Sequence, residues 1–403
     1  MTPILILFGA TGDLANRKLI PSLYYMFTQG SLKGRKIVSV ARRDLSGGKY
    51  NEFIKESLTK VGKYNETDFK AFCSHFEYFQ LDFGSAESYQ RLAQLLDGPY
   101  CNYTKYFYLA VPQNIYIEIL NNLFKSSLGQ GDARVIIEKP FGFDRKTYEE
   151  LDETLSQYVA ERNIYRIDHY LGRAILRSLP RFIPRRDEIS KISIKSNEII
   201  GVENRGDFYD LNGAFRDVGG NHLIESFALI FAQDQDRVES LKQIETPTEE
   251  DVINNSKIAQ YDGYTKIDGV EENSITETYF NITLNVANGV KLNLEGGKGM
   301  KEYKRYLEVI YKDNTGYFVD YGPDQKVCEI KDGEEFVCYD FEDSKDHYVR
   351  EYAMLLEEAF KSDKTYFVTK EEVVEQWRIT DAILKVWRSG KVSLLNYKKG
   401  ESL

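Results

Sequence analysis

Along the first third of the chain, short unbroken apolar runs alternate with stretches of helical periodicity. Residues 4–8, 37–41, 106–111 and 135–138 are apolar or aromatic runs bounded by turn or charged residues. Such runs suit strands buried on both faces. Between them, residues 18–28, 50–61, 86–96 and 115–124 predict helices, and strand–helix alternation predicts a parallel sheet. The period changes further on. Residues 280–286 and 290–294 alternate apolar and polar positions, and 305–311, 316–320, 326–330 and 335–339 continue the strand-like succession. One-sided alternation predicts a largely antiparallel sheet with a single core face. Helices over 347–361 and 370–386 close the pattern. A length of 403 residues suits two domains. We place them at 1–170 and 171–403.

Composition narrows the class. The 42% hydrophobic and 29% charged content is that of an ordinary globular chain, and no apolar run approaches the ~20 residues that span a bilayer. The net charge of −10 argues against nucleic-acid or anionic-membrane partners. It also makes any local cationic cluster more informative. Cys73, Cys101, Cys328 and Cys338 form no CxxC pair. They are expected to serve as small apolar residues in a reducing compartment, with the cytoplasm as default.

The first apolar run leads into Gly9-Ala10-Thr11-Gly12-Asp13-Leu14-Ala15 and then a helix with Leu19, Leu23 and Met26. Small residues at a strand–helix turn let the backbone approach a pyrophosphate, whose charge the helix N-terminus attracts. The spacing is GxxGxxA, so the strand–turn–helix context carries more weight than the motif alone. At the end of the second run come Arg42 and Arg43, with Asp44 only afterwards. An acidic residue there would bond a ribose hydroxyl, whereas arginine accommodates a 2′-phosphate, so NADP is the expected cofactor. Asp44 leaves NAD open as well.

Further segments extend the picture: Arg17-Lys18-Leu19-Ile20-Pro21, Tyr108-Leu109-Ala110-Val111-Pro112, Ile137-Glu138-Lys139-Pro140-Phe141-Gly142, Arg166-Ile167-Asp168-His169-Tyr170-Leu171-Gly172, Phe215-Arg216-Asp217-Val218 with Asn221-His222-Leu223, and Glu375-Gln376-Trp377-Arg378-Ile379. In this order, and with the glycine turn, they resemble the glucose-6-phosphate dehydrogenase family across nearly the whole chain. The resemblance implies a Rossmann-like α/β dinucleotide-binding domain followed by an α+β domain with a large, mainly antiparallel sheet. It implies NADP-dependent oxidation of glucose 6-phosphate to 6-phosphogluconolactone, the first step of the oxidative pentose phosphate pathway, in a cytoplasmic homodimer.

Lactone formation takes a hydride from C1 and a proton from its hydroxyl, so the protein must supply a base and hold the sugar. The resemblance makes His222 the base, Asp168 the carboxylate that orients its ring, and Lys139 a third catalytic residue that also touches the cofactor. It assigns substrate binding to His169, Tyr170, Arg173, Glu198, Asp217 and Lys298. Gly9, Thr11, Gly12, Asp13, Leu14, Arg42, Val111 and Tyr116 complete the cofactor set. Pro140 is a candidate for a cis peptide. No metal is expected.

The chain also departs from the family pattern. Arg173-Ala174 stands where Lys-Glu is usual, and Tyr303 where an arginine is common, with Lys301 and Lys304 as candidate replacements. It is shorter than most members, mainly between residues 234 and 296. Two other readings therefore stay open: a related dehydrogenase for another sugar or sugar phosphate, and a non-catalytic NADP-sensing protein.

Overall fold

The computed structural model describes residues 2–62, 64–126, 128, 132–232, 236–341 and 347–403. The chain forms two compact units. The first comprises Met1–Gly142, Lys146–Gly172 and Asp346–Lys370; the second comprises Phe143–Arg145, Arg173–Lys345 and Glu371–Leu403. Each unit thus draws on separated chain segments, which a single cut between residues 170 and 171 does not express.

The first unit is built on a parallel sheet of β1 (Pro3–Phe8), β2 (Lys36–Ala41), β3 (Phe76–Gln80), β4 (Thr104–Leu109), β5 (Arg134–Glu138) and β6 (Ile164–Ile167). Their spatial order is β3-β2-β1-β4-β5-β6, with every pair parallel. Order reverses at β1, and ligands of open α/β sheets bind beyond the strand ends at such a point. Residues Leu5 and Leu7 of β1 pack with Leu19, Leu23 and Met26 of the following helical segment. The same core takes in Tyr352, Leu355, Leu356 and Ala359, which share one face of the helix His347–Lys361.

Strands β3 and β6 have no counterpart in the sequence-based reading. The first is half-buried from Phe76 to Phe79 and exposed at Gln80, and Glu77 interrupts its apolar positions. The second carries Arg166, which is fully buried yet paired with Asp152 at 2.8 Å and Glu161 at 2.6 Å. A charge in a core strand disguises it, and only its partners make it tolerable.

The second unit has a nine-stranded sheet of β7 (Ile189–Asn197), β8 (Ser256–Tyr261), β9 (Tyr279–Asn285), β10 (Lys291–Gly297), β11 (Lys304–Tyr311), β12 (Gly316–Asp320), β13 (Lys326–Lys331), β14 (Glu334–Asp340) and β15 (Leu394–Tyr397). The order is β14-β13-β12-β11-β7-β10-β9-β8-β15. Only β7–β10 and β8–β15 pair parallel among these neighbours. The fold is therefore a Rossmann-like α/β unit joined to an α+β unit with a mainly antiparallel sheet.

One expectation is corrected here. Cys328 and Cys338 face each other across the β13–β14 hairpin and form a disulfide, with Cα atoms 4.0 Å apart. Ten residues of separation suffice because the tight hairpin brings them into register. Cys73 and Cys101 are unpaired, the first buried and the second exposed. Among the described residues, no helix is long and apolar enough to cross a membrane.

Candidate active site

In the first unit, the candidate cofactor residues gather around the turn after β1. Gly9 has φ +81°, and a Cβ there would collide with the Ala110 carbonyl and the Val111 side chain at the end of β4. Only glycine lets the two strand ends approach so closely. Gly12 is different: it has no positive φ, and a Cβ would meet the Gly9 carbonyl at 3.1 Å. A side chain there would press on the backbone of the turn itself, which glycine avoids. Thr11 and Leu14 are half-buried, while exposed Asp13 lies 3.5 Å from Arg17.

Arg42 follows β2, is exposed, and lies with its guanidinium 5.9 Å from the Phe83 ring centroid. Asp44 turns to its own loop, where Oδ1 accepts from the amide and hydroxyl of Ser46 at 3.1 and 2.6 Å. Those bonds hold its carboxyl below the usual range. Tyr116 is 2% exposed. Its hydroxyl donates to the Leu109 carbonyl and accepts from the Glu138 amide, both at 3.2 Å. It therefore ties the ends of β4 and β5 together from within the core.

Lys139 follows β5 and is half-buried, and the Lys139–Pro140 peptide is cis. Asp168 follows β6 and is 1% exposed; its Oδ1 caps the next turn by accepting from the Tyr170 amide at 2.9 Å. His169 is half-buried against Tyr170 and Tyr352. All three therefore stand at the carboxyl ends of neighbouring parallel strands.

In the second unit, Asp217 and His222 lie on one continuous helical stretch, a π-helical Phe215–Leu223 leading into Ile224–Phe231. Gly219 and Gly220 sit inside that helix. A Cβ on Gly219 would come within 2.5 Å of the Phe215 ring and 2.7 Å of Phe280, and one on Gly220 within 2.5 Å of Thr380. The glycines thus set the close packing that leaves His222 only 2% exposed. The helix start is anchored by Glu277, whose Oε1 accepts from the Phe215 amide at 2.9 Å.

Glu198 and Lys298 meet directly, with Lys298 Nζ 2.5 Å from Glu198 Oε2 and 3.6 Å from Asp217. The other Glu198 oxygen accepts from Arg305 Nη2 at 2.6 Å. Burial pushes the Glu198 carboxyl up, but Lys298 and Arg305 outweigh it and hold it below the usual range. Arg305 was not among the replacements expected for the missing arginine. Lys304, which was, pairs at the surface with Glu302 at 2.7 Å. Strand alternation was the available signal: in β11, Lys304 is exposed and its neighbour Arg305 turns to the other face. Arg173 is 2% exposed, donates to the Tyr321 carbonyl at 3.2 Å, and lies 5.6 Å from that ring's centroid.

Residues 6–177 match the family model for the NAD binding domain of glucose-6-phosphate dehydrogenase, and residues 181–402 match the model for its C-terminal domain. The chain belongs to the glucose-6-phosphate dehydrogenase family. Among curated relatives, the glucose-6-phosphate 1-dehydrogenase of Chlamydia muridarum is 29% identical, covering 98% of this chain and 92% of its own. That of Helicobacter pylori is 28% identical, covering 98% and 95%. A crystal structure of the Mycobacterium avium enzyme superposes with a TM-score of 0.84 at 26% identity, covering 99% of this chain and 94% of that one. A 3-ketoreductase from Actinomadura kijaniata, at 13% identity and TM-score 0.61 over 98% of this chain and all of its own, shares the fold alone. Membership, with the NAD binding domain matched, gives a nicotinamide dinucleotide as the cofactor of this oxidoreductase.

Proposed function

We propose that this glucose-6-phosphate dehydrogenase family member oxidises glucose 6-phosphate to 6-phosphogluconolactone with NADP, the first step of the oxidative pentose phosphate pathway. The observation that carries the reading is the match of both family domains over nearly the whole chain. Bound NADP supplies the acceptor for the hydride that leaves C1. Arg42 is assigned to the 2′-phosphate, a choice supported by the commitment of Asp44 to its own turn. Gly9, Thr11, Gly12, Asp13, Leu14 and Val111 line the dinucleotide, while Tyr116 supports it from below through the strand ends.

His222 takes the proton of the C1 hydroxyl, and Asp168 fixes the ring tautomer and stabilises the imidazolium. Lys139 sits by the nicotinamide and the sugar. His169, Tyr170 and Arg173 are assigned to the phosphate; Glu198, Asp217 and Lys298 to the sugar. The cation pair around Glu198 supports the last assignment, because it keeps that carboxyl ionised as a hydrogen-bond acceptor for hydroxyls. We further assign residues 1–170 to cofactor binding and 171–403 to substrate binding and dimerisation, in a cytoplasmic homodimer.

The test is direct. His222→Asn should lower kcat by about 10²–10⁴ while glucose 6-phosphate affinity, read by calorimetry, stays within threefold. NADP should be reduced faster with glucose 6-phosphate than with free glucose. Equal turnover of the two sugars would favour a dehydrogenase for an unphosphorylated sugar, and undiminished turnover by the variant would refute the assigned base.

A further inference from the structure

One buried carboxyl at the strand ends of the first unit has no part in the scheme above. Glu138 closes β5, is 9% exposed, and precedes Lys139. The Tyr108 hydroxyl, from β4, donates to its Oε1. The Tyr352 hydroxyl, from the helix His347–Lys361, bonds the same carboxyl. Tyr116 engages its backbone, accepting from the amide at 3.2 Å and lying 3.4 Å from the carbonyl. Three tyrosines from three elements thus converge on one residue. Tyr352 reaches further, since its ring lies parallel to His169 within 8° at 6.1 Å between centroids.

We propose that Glu138 is a positioning residue for Lys139, acting through a Tyr108–Glu138–Tyr352 clasp that ties the end of β5 to the helix His347–Lys361 and to the ring of His169. The proposal rests on the reading of Lys139 as a site residue. The clasp needs a side chain that can satisfy two hydroxyls at once, which a carboxyl or a carboxamide does and an apolar group does not. It also sits among other ionisable groups: Lys139 on its own segment, Asp168 after β6, and Glu351 beside Tyr352. Burial is the largest influence and pushes the Glu138 carboxyl up to about 8, with Tyr108 and Lys139 pulling it down and Asp168 pushing it further up. Near neutrality it keeps its proton and adds no charge beside Asp168 and Lys139. Above pH 8 it ionises and the field at Lys139 changes.

Two readouts on the full chain test this. Lysines of the intact protein are dimethylated with ¹³C-formaldehyde, and the Lys139 signal is assigned with Lys139→Arg. The wild-type signal should show an inflection near pH 8 that vanishes in Glu138→Gln and moves upward in Tyr352→Phe, which removes one donor to the carboxylate. In kinetics at pH 7, Glu138→Ala should lose at least tenfold in kcat with KM for glucose 6-phosphate within threefold, and Glu138→Gln should recover kcat to within threefold. An inflection that survives in Glu138→Gln, or an unchanged kcat in Glu138→Ala, would overturn the proposal. If Glu138→Ala does not fold, the resonance data on the other two variants decide alone. A wild-type protein that oxidises no sugar phosphate, yet shows the expected inflection in the Lys139 signal, would sink the proposed reaction and leave the clasp standing.

Discussion

Glu277 offers a quantitative test of how the His222 helix is held. Its carboxyl is 8% exposed, accepts from the Phe215 amide at 2.9 Å, and occupies the space a Cβ would take at Gly213, which would collide with its Oε1. Burial pushes it up from the usual 4.5 to about 7; the Phe215 amide, its own backbone, Arg216 and Arg388 pull the other way. Between those two values the unfolded chain is ionised while the folded chain keeps a proton. Stability from this group is therefore full below about pH 4.5, falls as pH rises, and levels off above about 7. The gap of about 2.5 pH units, at about 1.4 kcal/mol each, corresponds to about 3 kcal/mol at pH 8, of which about 2.5 kcal/mol is lost between pH 5 and 8.

Glu277→Gln keeps an acceptor for Phe215 but turns an amide donor toward its own backbone N–H, at a cost of about 1 kcal/mol. The variant should then match wild type near pH 5 and exceed it by about 2 kcal/mol at pH 8. Urea unfolding followed by tryptophan fluorescence reports on the right unit, because the only two tryptophans, Trp377 and Trp387, both belong to it. Trp387 also packs edge-on against Phe215 at 5.2 Å. Parallel stability curves for the two proteins from pH 5 to 8 would refute the argument.

Two further outcomes concern packing and the sugar site. Gly220→Ala should cost about 1–3 kcal/mol through collision with Thr380, and adding Thr380→Ala should recover most of it; simple additivity in denaturant unfolding would count against the clash. Arg305→Met should raise KM for glucose 6-phosphate at least tenfold with a smaller change in kcat, because Glu198 loses one of the two cations that pair with it among the described residues, and Arg305→Lys should restore part of the loss in steady-state kinetics.

What could be read from the sequence was local. Buried strands β1, β2, β4 and β5 announce themselves as apolar runs, and β9 to β14 through alternation or aromatic content, because side-chain direction repeats every two residues. The glycine turn is equally local: strand, close approach and helix start all fall within about ten residues. So are the segments that carry Asp168, His222 and Lys298.

Tertiary structure decided whatever depended on partners distant along the chain. Arg166 makes β6 unreadable as a core strand until Asp152 and Glu161 are seen to neutralise it. Arg305 reaches Glu198 across 107 residues of sequence, and no spacing rule reveals that β11 pairs with β7 to bring them together. Cys328 and Cys338 bond because hairpin register sets them opposite each other. The helix His347–Lys361 enters the first unit's core through an apolar face that could have packed against either sheet. Periodicity tells which face of an element is apolar; only the folded chain selects the surface that covers it, since that choice depends on the shape and charge of residues far away in sequence.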